Sequence, residues 1–239
     1  TIPVQYAGSM NAKLEGGTAG DLITSIPIDQ SLKLFNRGWL TSLNSLGGLD
    51  NYPQVAKDAW STDDGSDLFC VPMASVSHGF MYNKEIFAEL GLSIPKTESE
   101  FFATLDKIKD DGNYTPLAIG TADTWATAIM GWQNVGPNYW AGEKGRKAII
   151  TGDEKFTDQH YVDLLTSLQR WSNYMADGYQ TQTYPDSQNL FTLGMAAIYP
   201  TGSWEIFTFS QNADFEFSAF PPYTQDGQSN CFIDDHTDI

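Results

Sequence analysis

The chain reads as an α/β protein with largely parallel sheets, on three observations. Short apolar runs alternate with helix-period patterns from end to end, as in strand-helix-strand units. Gly, Asn, Asp and Thr stand where those helical patterns start and stop. The 239 residues, 41% apolar and 13% aromatic, supply a core for one large or two modest domains.

The elements follow in order. Residues 9–14 are weakly helical and end at Gly16 and Gly17, and 21–25 (DLITS) reads as a buried strand. Asp29 caps a helix carrying Leu32, Leu34 and Phe35, which Gly38 stops. A polar loop (STDDGSD, 61–67) precedes strands at 68–73 and 79–82. Asn83 caps a short helix with Ile86, Phe87 and Leu90 on one face, and Gly91 ends it before Pro95. Thr97 and Glu100 have capping-box spacing, followed by Phe101, Leu105 and Ile108 at helical intervals, and Gly112 closes that helix. A strand at 115–120 runs into a loop rich in Asp, Thr and Trp (TADTWAT). The helix at about 158–176 puts Tyr161, Leu164, Leu165, Leu168, Trp171 and Met175 on one stripe, which makes Trp171 a core residue. A shorter helix at 187–193, a strand at 195–199 and a strand at 214–220 complete the pattern.

Charge narrows the partners. Thirteen basic against 30 acidic side chains give a formal net charge of -17, which repels phosphate backbones and anionic lipid, so nucleic acid is not an expected partner. No apolar stretch approaches the roughly 18 residues that span a bilayer, and the start carries no basic-then-apolar signal pattern. Cys70 and Cys231 each sit in an apolar run, where a thiol behaves as a small hydrophobe, and low cysteine usage argues against a disulfide.

Several chemistries lack their signature. His78, His160 and His236 are too far apart to form a helix-borne ligand pair, and no HExxH or paired CxxC is present, so no metal or other cofactor is expected. The loop with Asp63, Asp64 and Asp67 lacks the alternating ligands and distal Glu of a calcium loop and reads as a solvated acidic turn. There is no phosphate-binding glycine loop after a strand and no GxSxG elbow. Thirty acids beside 14 Phe, 11 Tyr and seven Trp are the raw material of a glycosidase, yet no spacing singles out a carboxylate pair. Asp123 beside Trp125 and Glu205 beside Trp204 are the best candidates for one.

Two tryptophans stand out. Trp204 in YPTGSWEIF follows a strand at the start of a helix, where its apolar face suits a sugar ring and the backbone amides of Gly202 and Ser203 suit hydroxyls. A core role for Trp204 remains equally open. Trp125, in a polar loop after another strand, is similarly placed.

The separated motifs also fall in one order. KLEGGTAGDLI (13–23, with Gly20 where proline is usual), FNRGWLTSL (35–43), VPMASVSHGFMYNKEIFAELGLSIPKTESEF (71–101) and LFTLGMAAIYPTGSWEI (190–206) together resemble the sugar-type extracellular solute-binding proteins of ABC importers, the group that includes maltose-binding protein. The resemblance implies a type II periplasmic-binding-protein-like fold: two α/β lobes with crossing hinge strands and a ligand cleft between them, closing by hinge motion. It implies a partial first lobe over 1–74, a second lobe over 75–235 and a return crossing starting at 236–239. It further implies a piece of a longer chain, with the first lobe incomplete.

The expected function is then a non-enzymatic, monomeric binding component. It would deliver a sugar or short oligosaccharide to ABC permease subunits from a periplasmic or extracellular location, with a lipid anchor in the preceding segment as an option. Trp204 and Trp125 would stack on pyranose faces; Asp29, Ser77, His78 and Asp123 would hydrogen-bond hydroxyls. The alternatives are a glycosidase or lyase using the same acids and aromatics, and the same fold carrying a polyamine, iron or peptide.

Overall fold

A computed structural model describes residues 6–25 and 29–238 and, within them, all side chains but those of Ala7, Asp29 and residues 236–238. The elements run α1 (Tyr6–Glu15), α2 (Asp29–Asn36), α3 (Gln54–Asp58), β1 (Ala74–Asn83), α4 (Lys84–Glu89), α5 (Glu98–Asp111), β2 (Thr115–Leu117) and α6 (Thr124–Thr127). There follow α7 (Glu143–Thr151), α8 (Gln159–Trp171), α9 (Tyr184–Thr192), β3 (Ala196–Gly202), α10 (Glu205–Asn212), β4 (Phe217–Phe220) and β5 (Asp235–Asp238). The chain divides into two compact units, one within Thr1–Val76 and Asp235–Ile239, the other Ser77–Asp234.

The first unit packs Trp60, Leu68, Phe69 and Cys70 against Leu32, Phe35, Leu40 and Leu49, with Phe35 and Phe69 stacked at 5.1 Å. Two expected strands are absent here. Residues 21–25 form no strand, and Leu22 is 95% exposed; without a partner ladder, an isolated apolar run gains little from extended geometry. Residues 68–73 contribute a single bridge, Leu68 to Ser61; Leu68, Phe69 and Cys70 are buried but irregular, Met73 is exposed, and Pro72 has no amide to donate to a ladder. Residues 26–28 and the Asp29 and His236 side chains lie outside the described residues.

The second unit is built on strands in the order β2-β3-β1-β4; β5, which lies in the first unit, pairs β1, the strand whose residues fall in both units. Of the ladders within this unit, β2–β3 is parallel, whereas β1–β3 and β1–β4 are antiparallel, which corrects the expectation of a largely parallel sheet. Alternation of helices and strands does not by itself fix direction, because β1 crosses into the unit opposite to its neighbours. Phe80 on β1 is wholly buried among Phe101, Trp171, Phe220 and Tyr223, so α5, α8, β4 and the segment after β4 are keyed to one ring. Phe101, Phe102, Leu105 and Ile108 of α5, and Leu164 and Trp171 of α8, face this core; Tyr161 of α8 is buried beside Trp132 and Trp140, and Leu165 of the expected stripe is 51% exposed.

Helix starts follow the sequence closely. Asn83 Oδ1 accepts from the amides of Glu85 and Ile86 and caps α4. At α5 the Thr97 hydroxyl accepts from Glu100 N, but the Glu100 carboxylate takes the Lys96 amide instead of closing the reciprocal box. A complete box sits at α9, between Thr183 and Asp186.

Candidate functional site

The parallel register Thr115↔Ala196 and Leu117↔Ile198 points the C-terminal ends of β2 and β3 the same way, β3 running on to Gly202. Each strand then turns into a short helix, β2 into α6 with Trp125 and β3 into α10 with Trp204, so both indoles belong to one end of the sheet. Chain segments after the carboxyl ends of parallel strands are where α/β folds place ligands.

Close backbone approach holds the first of these turns. A Cβ on Gly120 would overlap the Gln182 carbonyl, so only glycine lets the 120–123 segment lie against 179–184. Thr121 N donates to Tyr179 O and Ala122 N to Gln182 O, both at 3.0 Å, and Tyr184 N donates to Asp123 Oδ2 at 2.7 Å. Those bonds seat Tyr184, the first residue of α9, between the two tryptophans. Its ring meets that of Trp125 at 4.9 Å and 46°.

The second turn is held by side chains. Trp204 Nε1 donates to Tyr184 Oη at 2.8 Å, and that hydroxyl donates to Glu205 Oε1, which Gln188 Nε2 also reaches at 2.7 Å. Burial first, and the Glu205 carboxyl second, push the Tyr184 hydroxyl above its ordinary titration range, so it keeps the proton it donates. The Trp204 six-membered ring lies over Gly202, where any Cβ would overlap it. His78, opposite Gly202 in the β1–β3 register, stands edge-on to Trp204 at 5.2 Å and 73°.

The expected residues therefore differ in placement. Trp125 is 47% exposed and Trp204 half-buried, one edge inward. His78 is 3% exposed, with its amide on Asp234 O and its Nε2 3.7 Å from Asp234 Oδ2, so the imidazole backs the indole instead of facing solvent. Ser77 is exposed and exchanges two hydrogen bonds with Ser203. Asp123 is half-buried and spends one oxygen on Tyr184. Asp29 belongs to the other unit.

The sequence points to Glu205; Tyr184 falls outside the helix expected at 187–193, and Gln188 falls inside it with no local sign of a role. The signal was present: Thr183 and Asp186 have capping spacing, with Pro185 in the first turn.

Elsewhere, a groove of about 250 Å³ in the first unit, lined by Tyr52, Val55, Pro72 and Met73 among others, offers one carboxylate, Asp235, already bonded by Ser75. The 61–67 loop is knit by Thr62, Asp64, Ser66 and Asp67, and the described residues hold no cluster of three or more His, Cys, Asp or Glu placed for a metal. Cys70 and Cys231 are both free thiols. Among the described residues no helix is long and apolar enough to cross a membrane.

Residues 3–235 match the family described as bacterial extracellular solute-binding protein. A "Multiple sugar-binding protein" of Streptococcus mutans is 27% identical over 169 residues, 64% of this chain and 38% of that protein. Among solved structures, a "Chitin oligosaccharide binding protein" superposes with a TM-score of 0.80 at 21% identity, covering 96% of this chain and 58% of its own. RafE, known from Streptococcus pneumoniae and solved with raffinose, gives 0.77 at 21% identity over 98% and 61%. The chain thus spans 38 to 61% of the length of these relatives, and its fold is the type II periplasmic-binding fold of its structural neighbours. With the match running through nearly every described element of both units, the chain belongs to the bacterial extracellular solute-binding proteins.

Proposed function

We propose that this chain is the extracellular binding component of a carbohydrate ABC importer, taking a sugar or short oligosaccharide on the Trp125–Tyr184–Trp204 face and handing it to membrane permease subunits as a monomer. One observation carries the reading: two indoles and a phenol, brought from three separate segments, form a half-exposed aromatic array at the strand ends. Pyranose rings present flat C–H faces that pack on such surfaces. The naming of a relative as a multiple sugar-binding protein and the raffinose complex of a structural neighbour support the ligand class. Trp125 supplies the open face, Trp204 a face held at fixed tilt, and Ser77 an exposed hydroxyl beside them.

Binding without turnover fits the carboxyls: Asp123 and Glu205 each hold the array together, Asp123 through the Tyr184 amide and Glu205 through the Tyr184 hydroxyl. Calorimetric titration of the full chain with raffinose, stachyose, galactose and chitin- and xylan-derived oligosaccharides tests the reading. Saturable binding of at least one, weakened roughly 5- to 10-fold by Trp125→Ala, is expected if stacking contributes about 1 kcal/mol. Hydrolysis or elimination products in the same mixtures, or binding untouched by both Trp125→Ala and Trp204→Ala, would overturn it.

A further inference from the structure

We infer that Glu205 is a positioning residue of the aromatic array: acting through the Tyr184 hydroxyl, it sets the tilt of the Trp204 indole, which therefore meets a ligand by its ring face and not by its N–H. The inference rests on the sugar-site reading above and specifies how that site is built.

The geometry is a chain of donors ending on one buried acceptor. Trp204 Nε1–H donates to Tyr184 Oη, Tyr184 O–H donates to Glu205 Oε1, and Gln188 Nε2–H donates to the same oxygen. A phenol has one proton, and committing it to Glu205 leaves its lone pair turned toward the indole. Glu205 is 3% exposed although it opens a surface helix, and its Oε2 is buried with no hydrogen-bond partner. A carboxyl kept out of water at such cost needs a compensating use, and the converging donors are the one visible here. Because the indole N–H is consumed inside the protein, Trp204 offers a ligand only its carbon surface, and the rigid tie lowers the ordering cost of stacking.

The second contact on the indole is consistent with this. The His78 ring abuts Trp204 from the β1 side, and Gly202 leaves room beneath it, so the ring is bounded on the inside and tied at its nitrogen. Tyr184, which takes the indole N–H, also packs on Trp125, so one residue links the two indoles.

The test reads hydrogen exchange of the Trp204 indole N–H in nitrogen-15-labelled full chain, the resonance being assigned by its loss in Trp204→Phe, alongside affinity for the tightest sugar of the panel. Glu205→Gln keeps an acceptor oxygen, Glu205→Met keeps the volume without one, and Tyr184→Phe removes the relay itself. Exchange should quicken at least about fivefold in Tyr184→Phe and Glu205→Met, with affinity falling by a similar factor, while Glu205→Gln stays within about twofold of the parent. Unchanged exchange in Tyr184→Phe overturns the relay, and that variant decides alone should Glu205→Met fail to fold. Quickened exchange with unchanged affinity overturns the positioning role. If the parent chain binds no sugar, the sugar reading fails by itself, and the exchange rates still decide whether Glu205 orients the indole.

Discussion

The Tyr184 backbone amide donates to Asp123 Oδ2 at 2.7 Å, joining two segments 61 positions apart. This bond does for the polypeptide what Trp204 Nε1–H to Tyr184 Oη does for the side chains: it holds the same tyrosine, at its amide, while the indole holds it at its hydroxyl. Asp123 reads from sequence as a direct ligand for hydroxyls; one of its oxygens accepts the Tyr184 amide. Removing it in Asp123→Ala leaves a half-buried amide without its acceptor, at a cost of about 1–3 kcal/mol. Asp123→Asn keeps a carbonyl oxygen for that amide. Thermal denaturation and sugar titration of both variants should therefore separate: Ala loses stability and affinity together, whereas Asn keeps stability and reports on the ligand contact alone.

Gly202 makes a second, sharper prediction. Its backbone is ordinary β-strand, so an added methyl meets no conformational penalty, but that methyl would occupy the space of the Trp204 ring. Gly202→Ala should leave the β1–β3 ladder intact and swing the indole outward, breaking its bond to Tyr184. Indole fluorescence should shift, acrylamide quenching should rise, and sugar affinity should drop about as far as in Trp204→Ala. An unaltered quenching profile would mean the ring is not seated on that glycine.

The contrast between Asn83 and Tyr184 explains what sequence could and could not reveal. A cap is local: Asn83, its two amides and the apolar face of α4 lie within a few residues, and the structure shows them as read. The run YPTGSWEIF likewise placed Trp204 just after a strand. Tyr184, by contrast, matters because Gly120 lets one loop lie on another and because β2 and β3 are adjacent and parallel, which are facts of pairing between distant segments. The same limit produced the spurious strands. The 21–25 and 68–73 runs have strand-like composition, but a strand exists only where a partner ladder does, and the partner is not encoded in the run.

The acidic loop offers a prediction in pH. The Thr62 hydroxyl first, then the Ser66 amide, lower the Asp64 carboxyl from 3.8 to about 2. A depressed folded-state value means that the loop's hydrogen bonds add stability above the unfolded pKa near 4 and lose it as pH falls toward 2. Being fully exposed, the group should act on loop order and not on global unfolding. Carbon-detected titration of Asp64 should give a midpoint near 2, and Thr62→Val should raise it toward the ordinary value. A midpoint already at the ordinary value in the parent chain would show that the loop is not knit in solution.

The two thiols give a separate readout for each compact unit. Cys70 is packed with Trp60, Leu68 and Phe69 in the first unit, and burial pushes its thiol up to about 11. Cys231 belongs to the second unit; it is exposed as a residue, though partial burial raises its thiol and its Sγ–H points at Pro222 O, 3.4 Å away. Thiolate is the reactive species, so both should label slowly near neutral pH, Cys231 first because a disulfide reagent reaches it without unfolding. Cys70 should label only when the first unit opens, at a rate that rises with denaturant as that unit's core is exposed. Kinetics with an aromatic disulfide reagent should accordingly show two phases of one thiol each, the slow one abolished by Cys70→Ser and the fast one by Cys231→Ser. Two thiols labelling together in native buffer would contradict the packing of Cys70 against Trp60, and with it the core that defines the first unit.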